Sequence, residues 1–218
     1  MEGRSPTNAA GERVYHAIKA RAMAYAFPQG RRIYLQPLAD DLGVSTTPVR
    51  EALNRLAAED LVIKAPRKGF FAKTLSLEEL RSYYRHSRLL LTTELNGLAE
   101  GTVQGLAQFE PIATVLHKLT RRIIADVNVL AAYSGEILYD IASIRRDVHV
   151  MRAIGQANDQ LYCIRTFECR AFGNVQDELR LLCELVLAAK RDELLSALHR
   201  YHDIRIAALP GLVELAAR

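Results

Sequence analysis

Between Ser45 and Gly69 the chain sets hydroxyls and cations at spacings suited to phosphate and base recognition. Ser45, Thr46 and Thr47 precede Pro48, and Arg50 and Arg55 follow within eight residues. Thr hydroxyls can donate to phosphate, and their methyl groups can touch a thymine methyl. Arg can offer two parallel N–H groups to guanine O6 and N7, or grip a phosphate. Arg67 and Lys68 stand before Gly69, whose missing side chain lets backbone come close to DNA. Arg31 and Arg32 can hold a neighbouring phosphate. This chemistry is binding, not bond-making. No GxSxG, Walker loop, HExxH or GxGxxG occurs, so no enzyme is expected.

Those residues need elements to aim them. Val14, Ile18, Ala22 and Tyr25 recur at helical steps from Glu12, and Pro28 and Gly30 end that run. Arg31 to Leu35 reads as short and extended. Leu38, Ala39 and Leu42 share a face of a helix from Gln36 to Leu42, with Gly43 at its C-terminal cap. Ser45 is a good N-cap for the next helix, and Pro48 falls in its first turn. Val49, Ala52, Leu53 and Leu56 form its buried stripe, leaving Arg50 and Arg55 off it. Leu61–Ile63 and Phe70–Ala72 read as strands joined by a basic hairpin tip, Lys64 to Gly69. The order is helix-turn-helix followed by a β-hairpin wing. In such a module the second helix points its free N–H groups and positive dipole end at DNA.

From Ser76 the pattern is helical almost throughout. Ser76 and Glu79 have capping-box spacing and start a helix to about Glu100, which Gly101 to Gly105 breaks. Further helices are expected over about 109–132, 136–154, 159–172, 175–189 and 193–209. Ser134-Gly135, Gly155–Asn158, Gly173-Asn174, Lys190–Asp192 and Pro210-Gly211 would separate or end them. Short connections between long helices imply an antiparallel bundle. The expected architecture is mainly α, with residues 1–11 a flexible tail, 12–75 a winged helix-turn-helix and 76–218 an all-helical domain.

Charge supports this division. The 218 residues carry a net charge of +4. Residues 1–75 hold twelve Lys and Arg against seven Asp and Glu, an excess of five; the remainder holds 17 against 18. Such asymmetry suggests a basic module joined to a neutral one. Cys163, Cys169 and Cys183 lack CxxC spacing, which disfavours a disulfide scaffold or thiolate zinc site and suits a reducing cytoplasm. Cys169 and Cys183 read as small core groups. No signal peptide opens the chain, and no stretch is long and charge-poor enough to span a membrane. Cytoplasmic localisation without a membrane partner is therefore expected.

The run Gly43-Val44-Ser45-Thr46-Thr47-Pro48-Val49-Arg50-Glu51-Ala52-Leu53, then Leu56-Ala57-Ala58-Glu59-Asp60-Leu61-Val62, strongly resembles the GntR family of bacterial transcription regulators. The spacing to Arg67-Lys68-Gly69-Phe70-Phe71-Ala72 matches that family's wing. The resemblance implies binding to a two-fold DNA operator. There is one departure: the family usually has Arg where this chain has Thr46. A base-reading Arg is worth about 1–3 kcal/mol, so the usual operator sequence is not assured.

The helical remainder resembles the FCD effector domain of the FadR-like subfamily. Leu80 to Ala99 resembles its first helix, with Arg88 at the usual Arg position. His149, followed by Ile154 and Asn158, resembles the segment around a metal-binding His. The Asp192 corner and His202 resemble the last helix. The resemblance implies a homodimer, a small-molecule pocket and regulation of DNA binding, more usually repression. Many such domains hold a divalent metal through one Asp and three His. Here Arg145 stands four residues before His149, where Asp is expected, and Leu181 aligns with the middle His, with His199 one turn before His202. Arg offers no lone pair, so no metal is expected. Arg145, one helical turn from His149, would instead bring a fixed charge to an acidic metabolite, with Arg88, His149 and His202 completing the effector site. An alternative is that the helical domain only dimerises or docks a protein partner, without a small-molecule effector.

Overall fold

The computed structural model describes residues 6–99, 106 and 109–216. The chain forms two compact units, one ending at Leu75 and the other beginning at Ser76.

In the first unit, α1 (Pro6–Met23) packs on the helix-turn-helix pair α2 (Leu35–Leu42) and α3 (Thr46–Ala58) through its contacts with α3. Part of the expected flexible tail, residues 1–11, is helical: α1 starts at Pro6, and residues 1–5 lie outside the described residues. Proline suits a first turn, where the missing N–H is not needed. Gly43 caps α2 in the left-handed conformation, φ 65°, which is why a glycine stands there. Val49, Ala52, Leu53 and Leu56 of α3 are all buried, as the stripe requires. Strands β1 (Arg32–Ile33), β2 (Val62–Ala65) and β3 (Gly69–Ala72) form an antiparallel sheet of order β1-β3-β2. Within the stretch expected to be extended, Arg31–Leu35, Arg32 and Ile33 form a third strand, pairing Ile33 with Phe70, while Leu35 already opens α2. Ile33, Val62, Phe70 and Ala72 turn inward onto Leu38, Leu53 and Leu56.

The second unit is a helical bundle: α4 (Leu77–Asn96), α5 (Glu110–Arg121), α6 (Val127–Ser143), α7 (Val148–Ala171), α8 (Val175–Leu187) and α9 (Arg191–Ala216). Ser76 caps α4, its side chain accepting from Glu79 N–H, as the spacing requires. The helix ends at Asn96, and the break expected at Gly101 to Gly105 lies outside the described residues. Two expected breaks are helix interiors. Ser134 and Gly135 sit buried in α6, and Gly155 to Asn158 lie within α7. Packing overrides the local signal. A Cβ on Gly135 would lie 3.1 Å from Arg165 Nη1 and 3.4 Å from Asn158 Cγ, so the glycine admits α7 closely. Ser134 satisfies its hydroxyl by donating to Leu130 O at 3.0 Å.

The actual boundaries are aspartate caps. Asp126 accepts from Asn128 N–H to open α6. Asp147 accepts from His149 and Val150 N–H to open α7, and those bonds hold its carboxyl below the usual range. Pro210 does not end α9. Leu209 and Leu212 are buried on either side of it and carry the helix through, at the loss of one ladder bond. No helix among the described residues is long and apolar enough to cross a membrane.

Candidate functional site

The N-terminus of α3 is open. Ser45 holds the cap position without spending its hydroxyl on the helix. Thr47 and Arg50 are exposed beside it, and Thr46 is half-buried. Beyond them, α3 and the wing enclose a cleft of about 510 Å³. Arg32, Arg50, Lys64 and Arg67 bring four cations to its walls, and none of the described lining residues is acidic. Gly69 has a local reason for its identity. Its φ is 96°, which residues with side chains rarely adopt, and the Arg32 guanidinium lies in contact, 3.4 Å from where a Cβ would sit. Arg32 also lies over the Tyr34 ring at 5.4 Å. At the wing tip Arg67 takes φ 61°, so the turn strains a second residue to present its charge.

The remaining expected DNA contacts divide. Lys68 is exposed at the tip, its N–H donating to Ala65 O at 3.1 Å. Arg31 lies outside the cleft, in a neighbouring hollow with Phe27, Pro37 and Asp41. Arg55 is engaged within the fold. It donates to Glu12 at 2.6 Å and stacks over Tyr15 at 3.6 Å. Sequence reasoning missed Asn54 and Lys64, which meet across the cleft at 2.7 Å. Lys64 could have been found from strand alternation, which sends alternate side chains of β2 to one face.

The four expected effector residues are not one cluster. Arg145 is not on a helix with His149; Asp147 starts α7, so Arg145 lies in the preceding connection and pairs with the buried Glu94 at 3.3 Å. His149 is exposed in the first turn of α7. Arg88 pairs with Asp203. Leu181 is exposed on α8. Only His202 lies in the core. Its Nδ1 is 2.7 Å from Leu198 O, which can only accept, so Nδ1 carries the proton and Nε2 is free to accept from Ser87 Oγ at 3.3 Å. Burial pushes its pKa down to about 3, with Arg165, Arg205 and Arg88 adding repulsion, so the ring is neutral.

Around His202 stands a buried polar cluster that no spacing announced. Tyr84 donates to Glu168, and burial raises its phenol pKa well above the ordinary value. Arg205 lies 3.2 Å from Glu168, an ion pair without hydrogen-bond alignment at Nε, and donates to Glu178 at 2.8 Å. It also stacks on Tyr201 at 3.5 Å. Arg165 is as deeply buried, yet among the described residues its Nε and Nη2 have no hydrogen-bond partner; nor has the Tyr201 hydroxyl. These residues recur at helical spacing, so sequence periodicity gives them no distinction from a surface stripe.

Among the described residues no group of three His, Cys, Asp or Glu is placed to hold a metal. Burial raises the thiol pKa of Cys163 and Cys169 to about 11 and of Cys183 to about 12, so none is a ready nucleophile.

A helix-turn-helix with a charged wing defines the winged-helix class of DNA-binding fold, here followed in the chain by a helical bundle. Residues 10–72 match the bacterial regulatory proteins, gntR family. The Nta operon transcriptional regulator of Aminobacter aminovorans is 42% identical over 79 residues, 34% of this chain and 38% of that protein. The uncharacterized HTH-type transcriptional regulator BphR of Paraburkholderia xenovorans is 24% identical over 188 residues, 86% of this chain and 67% of its own. The chain thus spans well under half of the first of these relatives. Two solved structures share the fold of nearly the whole chain. A transcriptional regulator GntR from Rhodococcus sp. RHA1 has a TM-score of 0.70 at 17% identity, covering 93% of this chain and 98% of that one. E. coli McbR/YncC has a TM-score of 0.60 at 20% identity, covering 93% and 97%.

Proposed function

We propose that this protein is a DNA-binding transcription regulator, acting as a repressor, whose first unit docks α3 and the wing on duplex DNA. The carrying observation is the cleft between them, with Arg32, Arg50, Lys64 and Arg67 on its walls. Phosphates neutralise that charge, while Arg50 and the exposed Thr47 on α3 reach base edges. Two copies binding a two-fold operator about one helical turn apart suit the geometry of recognition helices. A gel shift with DNA flanking the protein's own gene tests this. Retarded, salt-sensitive complexes are expected; no binding above that to unrelated DNA would overturn it.

The helical unit supplies the input. An acidic small molecule is proposed to enter the cluster around Arg165, Tyr201 and His202, because a buried guanidinium with open donors favours an anion. Binding that favours one arrangement of the two DNA-binding heads then changes operator affinity. This moves the effector site away from Arg145, whose charge Glu94 already meets. Melting shifts across an organic-acid panel test it. Arg165→Met should raise the melting temperature of the unliganded protein and abolish any acid-dependent shift. A shift that survives the substitution would place the ligand elsewhere.

A further inference from the structure

A second basic cleft lies in the helical unit, where the end of α5 meets the start of α6. Its volume is about 440 Å³, and His117, Lys118, Arg121, Arg122, Ile124 and Tyr133 are among its walls. None of the described lining residues is acidic. Ile124 and Tyr133 are half-buried and form an apolar floor, and Lys118 lies over the Tyr133 ring at 5.5 Å. Arg121 leans on His117, Nη1 to Nε2, at 3.4 Å.

Cations in the last turn of a helix often need no more explanation than the dipole, which offers about half a negative charge. Here that account is insufficient. Gln176, in the first turn of α8, already caps the end of α5. Its Nε2 donates to Leu119 O at 2.7 Å and to Arg122 O at 2.8 Å, and its Oε1 accepts from Ile124 N–H at 2.9 Å. Two carbonyls at the helix end, of Leu119 and Arg122, are thus satisfied without the Arg side chains, and the turn carrying Arg122 is pinned to α8. Three fixed charges remain around one concavity, far exceeding the dipole's contribution. A cleft of one sign with an apolar floor concentrates the field on whatever anion enters. Its volume lies within the range of small-molecule sites, about 300–1,000 Å³.

We infer that this cleft binds a phosphorylated small molecule, separately from the DNA cleft and the buried cluster. A phosphoryl group carries a charge of about −1.5 to −2 and three acceptor oxygens, enough to engage Lys118, Arg121 and Arg122 together. One carboxylate would leave cations unmatched. Tyr133 and Ile124 provide apolar surface for the rest of the molecule.

The test uses the full chain and inorganic pyrophosphate in isothermal titration at 0.15 M salt. At least one saturable site per chain is expected. The double variant Arg121→Ala, Arg122→Ala should lose at least tenfold in pyrophosphate affinity with an unchanged helical spectrum, since both side chains are exposed. The double variant Arg50→Ala, Arg67→Ala, which weakens the DNA cleft, should keep a saturable pyrophosphate site. The inference is overturned by absence of a saturable site or by undiminished binding to the first variant. It is also overturned if only the second variant loses binding, which would place the anion in the DNA cleft. A loss of operator affinity in the first variant with no pyrophosphate site would mark the cleft as a DNA contact instead. The outcome is independent of whether the operator itself is ever bound.

Discussion

Arg50 and Arg55 lie on one helix and do different work. Arg50 faces the basic cleft; Arg55 ties α3 to α1 through Glu12 and Tyr15. Arg50→Ala should cut specific DNA affinity by about 1–3 kcal/mol and leave the melting temperature unchanged. Arg55→Ala should do the converse, costing about 1 kcal/mol of stability, a modest figure because the side chain is half exposed. Parallel binding and melting curves on the two variants check this pair. In the helical unit, Glu168→Gln should cost about 3–5 kcal/mol, because it leaves the Arg205 charge buried with less compensation. His202 adds a pH signature. Its pKa is about 3 when folded against about 6.5 unfolded, so below pH 6.5 the unfolded chain takes up the proton first. Stability should therefore fall as pH drops from about 6.5 toward 3. Asp140 opposes this, since burial and then Glu136 raise its pKa to about 6. The difference between wild type and His202→Gln in thermal melts across that range isolates the histidine; parallel curves would contradict the assignment.

At the scale of elements, the winged helix was legible because its signals are local. The Ser45 cap, the Gly43 stop and the apolar stripe each act within one or two turns. Strand β1 was not, because two residues become a strand only by pairing with β3. The bundle's helix count was nearly legible, but its boundaries shifted where glycine serves packing. Gly135 and Gly155 look alike in sequence and differ in surroundings. Gly135→Ala should lower stability by about 1–3 kcal/mol, because the new methyl meets Arg165 at 3.1 Å in a packed interior. Gly155→Ala meets only Tyr139, at 3.8 Å, and should raise stability by about 0.5–1 kcal/mol through helix propensity. Opposite shifts in denaturation midpoint are expected; shifts of the same sign would contradict this account of the α6–α7 contact. The buried polar cluster of the helical unit was least legible. Arg165 and Arg205 read in sequence as ordinary charged helix residues, and only tertiary packing removes them from water.

For the whole molecule, a net charge of +4 conceals a basic head and a neutral bundle. The central claim is that the head binds duplex DNA through the cleft between α3 and the wing. Fluorescence-anisotropy titration of the full chain with DNA flanking its own gene, repeated across salt concentrations for wild type and Arg50→Ala, tests it most directly. Four cleft cations predict a log–log salt slope of about −3 to −4 per bound copy. Arg50→Ala should weaken the specific complex at least fivefold. A slope near zero, or equal affinity of the two proteins for the specific site, would contradict the account.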